Sequence, residues 1–176
     1  MQRPRQNDRD VLRLAFAGAD SVARRDLFLS NAQVTRAEAL ARSPLASPLV
    51  TVYTGLRSDS TLGYAFIDTH TVRTLPETIM VVVSPRGRVQ AVYVLAFHEP
   101  AEYAAPPRWL HQFDRWTLTG ESNQRGDIAG ITGATLTANS IAAAVRRTLA
   151  VFEAGVSPAL ALADSSSGAT ATTTPR

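Results

Sequence analysis

The chain has 176 residues, 45% of them hydrophobic, with a formal charge of +3 and no cysteine. That length and apolar content supply one sizeable core. The missing cysteine excludes disulfides, thiolate metal sites, iron–sulfur clusters and attached c-type haem, so redox chemistry here requires a bound organic cofactor. The basic residues are all arginine, scattered among 15 carboxylates rather than set in a stripe with aromatics between them, which argues against a nucleic-acid partner.

The first ten residues are polar. Asp10 is placed to cap a short helix through Phe16, and the apolar run from Val11 to Ala19 is too short for a membrane span and is interrupted by Arg13. Ser30 reads as the N-cap of a second helix that Pro44 stops. Strand chemistry begins at Pro48. Leu49–Tyr53 and Leu62–Ile67 flank a polar turn and read as one hairpin. Thr78–Val83 and Val89–Leu95, joined through Pro85 and Gly87, read as another.

A Pro-rich connection follows His98, then a helical turn from Arg108 to Phe113. Ile141, Val145, Leu149 and Phe152 recur at helical spacing and predict a helix from about Ala138 to Glu153. The Ser/Thr/Ala-rich end reads as a disordered tail. The pattern predicts an α+β fold: an antiparallel sheet of four strands in consecutive hairpins, covered by helices on one face. The expected divisions are a polar N-terminal segment with a short helix (1–20), one domain (21–156) and the tail (157–176).

The segment with chemistry in it is Gly130-Ile-Thr-Gly-Ala-Thr-Leu-Thr137, at the entry to the last helix. Orphan amides and the positive end of the helix dipole make such an entry an anion site. Gly133 and Ala134 leave the backbone open to a phosphate, and Thr132, Thr135 and Thr137 supply hydroxyls to bind it or be esterified by it. The plainer alternative is a capped helix start with Thr137 as N-cap.

Thr132–Thr137 followed by an Ala-rich amphipathic helix resembles the flavinylation segment of the FMN-binding domain family. That family includes the C subunit of the sodium-pumping NADH:quinone reductase, the G subunit of the Rnf complex and the flavin domain of nitrous-oxide-reductase regulators. Pro76–Val89, Val94–Glu99 and Trp109–Phe113 resemble its hairpin and the aromatic segment after it, so the likeness runs from about Leu75 to Glu153. The resemblance implies that 21–156 is an FMN-binding domain, that Thr132, Gly133, Ala134, Thr135, Leu136 and Thr137 hold the phosphate, and that a flavin transferase esterifies FMN onto Thr135. It implies an electron carrier in a membrane-associated redox complex, with other electron-transfer proteins as partners, on the periplasmic face. With neither export signal nor span in the sequence as written, a cytoplasmic location stays open.

Two positions depart from the family. Its Asp six residues before the modified threonine is Ala129 here, with Asp127 the nearest acid. Where family members often read Glu-Thr-Pro-Gly after the second hairpin strand, this chain has His98-Glu-Pro-Ala-Glu-Tyr103. Ala129 motivates an alternative reading, a flavin-free accessory subunit that keeps the fold. His98 and Glu99 are candidates to line the flavin's edge, or else an exposed strand-end pair. Trp109 is a candidate to stack on the ring, or else to pack in the core. The sequence shows no Gly-x-Gly-x-x-Gly after a strand for a nicotinamide cofactor, no nucleophile elbow for hydrolysis, and no histidine spacing for zinc.

Overall fold

A computed structural model describes residues 6–118 and 128–158. In chain order they form helix α1 (Gln6–Ala15), strand β1 (Ser21–Phe28), helix α2 (Asn31–Ala41), strands β2 (Leu49–Arg57), β3 (Ser60–Thr71), β4 (Pro76–Val83) and β5 (Val89–Phe97), the short helix α3 (Pro107–Leu110) and the long helix α4 (Thr135–Val151). A 3-10 turn precedes α3 at Ala101–Tyr103, another follows it at His111–Phe113, and a π-helical turn, Phe152–Val156, extends α4. The five strands form one antiparallel sheet in the order β1-β2-β3-β4-β5. The fold is α+β, as the sequence predicts.

Local chemistry accounts for most boundaries. Ser30 caps α2 in a reciprocal box: its hydroxyl accepts the Gln33 amide, and the Gln33 side chain accepts the Ser30 amide at 2.9 Å. The β4–β5 turn closes through Ser84 and Arg88, with Gly87 at φ +72°, a left-handed conformation that glycine adopts without strain. Strand β4 lies between two partners and is buried on both faces from Ile79 to Val83, which is why that part of its sequence is an apolar run rather than an alternation.

The two faces of the sheet carry separate cores. Ile79, Val81 and Val83 of β4, with Tyr64 and Phe66 of β3, meet Ile141, Ala144, Val145 and Leu149 of α4 and Ala37 and Ala41 of α2. On the opposite face, Met80, Val82, Ala65 and Tyr53 meet Leu12 and Phe16. The expectation of a sheet covered on one face is therefore corrected: α1 covers part of the second.

Three further differences have simple causes. β1 is a strand the sequence reading missed, because this edge strand is exposed along most of its length and Ser-Val-Ala-Arg-Arg-Asp-Leu-Phe carries no clean alternation. Asp10 lies inside α1 rather than capping it. Helix α4 begins at Thr135, three residues before the expected start, because its first two residues, Thr135 and Leu136, are exposed and add nothing to the buried apolar stripe. The tail from residue 159 lies outside the described residues.

Candidate functional site

The backbone leading into α4 turns sharply. The Ala134 amide donates to the Ile131 carbonyl at 2.9 Å, and Gly133 between them has φ +78°. The N-cap is Ala134, not Thr137, and among the described residues no side chain caps the helix. The first turn of this 17-residue helix, at the positive end of its dipole, is the kind of place where an anion is stabilised. Among the described residues, apart from its two chain neighbours, no atom lies within 4 Å of where a Cβ at Gly133 would stand, so the space in front of the turn is open there.

The three threonines separate here. Thr137 is buried, and its hydroxyl donates to the Tyr103 carbonyl at 2.7 Å. It fastens α4 to the segment after β5. Thr132 is exposed and lies outside the cavity wall. Thr135 is exposed and lines a cavity of about 230 Å³ together with Gly133, Ala134, Leu136 and Thr137.

The rest of the wall comes from far away in sequence. Val72 and Arg73 stand in the β3–β4 turn, Glu99 follows β5, and Tyr103 ends the first 3-10 turn. Buried Glu99 organises this side: its Oε1 accepts the amides of Arg73 (3.2 Å), Thr74 (2.7 Å) and Leu75 (2.8 Å). Hydrogen bonds from the Thr74 and Leu75 amides outweigh burial and hold its carboxyl below the usual glutamate range.

Two other candidates lie off the cavity wall. His98 is exposed; its Nδ1–H donates to the Pro76 carbonyl at 3.0 Å, and it borders a separate, larger groove. Trp109 packs edge-on against Phe113, and its indole N–H donates to the Ala129 carbonyl at 2.6 Å. The Gln112 side chain accepts the Ala129 amide at 2.8 Å. Both main-chain groups of Ala129 are therefore held by the α3 region, while its side chain faces solvent.

Residues 75–150 match the family model for the FMN-binding domain. This stretch is an FMN-binding domain. No curated protein matches the chain. FMN is the cofactor the family implies, and the residues present fit its phosphate: an uncapped helix start, a glycine turn with open space before it, an exposed threonine hydroxyl and the Arg73 guanidinium. Arg73 lies outside the matched stretch.

On the α4 face of the sheet lies a polar group that the sequence reading passed over, partly within the matched stretch and partly before it. Arg147 of α4 binds Asp68 of β3 through two hydrogen bonds, 3.1 Å from Nε and 2.9 Å from Nη2. His70 donates to Asp68 at 2.8 Å and to Glu77 of β4 at 3.2 Å. Glu77 is fully buried, and its Oε1 has no hydrogen-bond partner among the described residues. Burial opposes the charge on His70, but hydrogen bonds and charge from Asp68 and Glu77 outweigh it and raise its pKa to about 9. Burial likewise opposes the charge on Asp68, yet His70 and Arg147 together hold it below the usual aspartate range. The signal was present in the strand pattern: Glu77 shares parity with Ile79, Val81 and Val83, which places it on the core face.

Proposed function

We propose that this chain is a one-cofactor electron carrier whose FMN phosphate sits at the start of α4 and is esterified to Thr135. The observation carrying this reading is that Thr135, alone among the motif's three threonines, combines an exposed side chain with a place in the cavity wall. At about 230 Å³ the cavity is smaller than the roughly 300 Å³ at which pockets enclose a drug-sized ligand, which supports a seat for the phosphate end with the ring outside. FMN supplies one- and two-electron chemistry; the chain's own task is anchoring it and leaving it accessible. A phosphate monoester does not condense with an alcohol unaided in water. The donor in this reading is therefore a phosphoanhydride of FMN with a nucleoside monophosphate. A P–O bond forms at Thr135 Oγ1 as the anhydride P–O bond breaks, the nucleoside monophosphate leaves, and the hydroxyl proton passes to a base on the transferase.

The partners in this reading are other electron-transfer proteins in a membrane-associated complex, on the periplasmic side. No helix among the described residues is long and apolar enough to cross a membrane, which is compatible with a peripheral subunit. A second reading rests on Ala129, where the family carries Asp: FMN is held at the same place without the ester. Intact mass of protein from its native host separates the two, since the ester adds the mass of FMN less water. Thr135→Ala should remove that mass and leave the fold intact, because Thr135 is not the cap and alanine is the better helix former. Flavin surviving denaturation of the Thr135→Ala protein would exclude Thr135 as the attachment site.

A further inference from the structure

We propose that Arg73 reads the phosphate charge of FMN, and that Glu99 is a positioning residue that clamps the turn presenting Arg73. This rests on the placement of the phosphate at the start of α4. Arg73 supplies the guanidinium among the residues that line the cavity with Gly133–Thr137. It is exposed, so its side chain has room to turn toward a ligand.

Glu99 raises an apparent conflict, since a carboxylate in the wall of an anion site should repel the anion. Its geometry resolves the conflict. Oε1 is surrounded by the amides of Arg73, Thr74 and Leu75, and the Thr74 hydroxyl approaches it at 3.4 Å. The carboxylate charge is thus directed into the turn rather than into the cavity. The turn itself is short, closed by the Val72 amide on the Leu75 carbonyl at 3.1 Å. Three of its amides depend on Glu99, a residue more than twenty positions away in sequence, so Glu99 fixes where Arg73 leaves the backbone. Arg73 precedes the stretch that matches the family model by two residues.

The test compares FMN with riboflavin, which lacks the phosphate, by flavin-fluorescence titration of the full chain made without a transferase. Wild type should prefer FMN. Arg73→Met should weaken FMN about tenfold, the size of one charge-assisted contact, and leave riboflavin unchanged. Glu99→Ala, confirmed as folded by circular dichroism, should lower the FMN-to-riboflavin preference by a similar factor, and adding it to Arg73→Met should cost nothing more. Losses that multiply in the double variant, or a Glu99→Ala protein with wild-type preference, would overturn the clamp. Gly133→Val serves as the separate probe of the phosphate's place. If Gly133→Val loses the FMN preference while Arg73→Met keeps it, Arg73 is not the reader and the α4 site stands. If both keep it, the phosphate lies elsewhere and both readings fall.

Discussion

The two ends of α4 are built for different tasks. From Ile141 onward its inner face is buried against the sheet and α2, and Arg147 is paired with Asp68. Its first turn has no side-chain cap, an open space before it and an exposed Thr135. A helix that only needed to be stable would carry Ser, Thr, Asp or Asn at the cap, as α2 does with Ser30. Stability is concentrated in the far half of the helix, whereas the near end carries the uncapped start at which the proposed function seats the cofactor.

That separation breaks first under a core substitution. Ile141→Ala removes a fully buried side chain from the larger core and should cost about 3 kcal/mol, read as a lower denaturation midpoint at unchanged slope. The folded fraction should still bind FMN as wild type does. A parallel loss of FMN affinity in folded protein would mean that core and site are not separable.

A smaller effect should come from pH. His70 has a folded pKa of about 9 against an ordinary value of 6.5. Its contribution to stability is therefore full below about pH 6.5 and is lost as pH rises through 9. The loss should be about 1–2 kcal/mol, discounted from the full shift because the site is partly solvated. His70→Gln should flatten the stability profile across that window. A slope that persists in His70→Gln would assign it to another group.

The smallest structural effect should come from Ala129→Asp, since that side chain faces solvent and the backbone around it is already held by Trp109 and Gln112. Stability should change by no more than about 0.5 kcal/mol. Flavin loading by a co-expressed transferase should rise, because the substitution restores the acid that the family carries there. Equal loading of both proteins would show that the transferase serving this chain reads another residue.

What the sequence made legible was local. The Ser30 cap and the Pro85–Gly87 turn draw their structure from neighbouring residues and are found where the pattern places them, and a helix does follow the Gly-Ala-Thr segment, though it starts at Thr135 rather than near Ala138. What escaped depends on contacts between distant parts of the chain. β1 is a strand because β2 pairs with it, not because of its own composition. Arg73 and Tyr103 join the cavity through the packing of the β3–β4 turn and the segment after β5, which no spacing rule records. Glu99 has a definite hydrogen-bonding role, but its partners are amides, invisible in side-chain identities. Thr137 looked like a phosphate ligand or a cap, and its hydroxyl instead meets the Tyr103 carbonyl.

Amide NMR of the isotope-labelled chain during FMN titration would locate the phosphate seat proposed at the near end of α4. The largest shifts are expected at Gly133, Thr135 and Leu136 and at the Arg73–Leu75 turn, with the Asp68–His70 and Ile141–Val151 amides nearly still. Shifts centred on Asp68, His70 and Arg147, with Gly133–Leu136 unmoved, would contradict that placement.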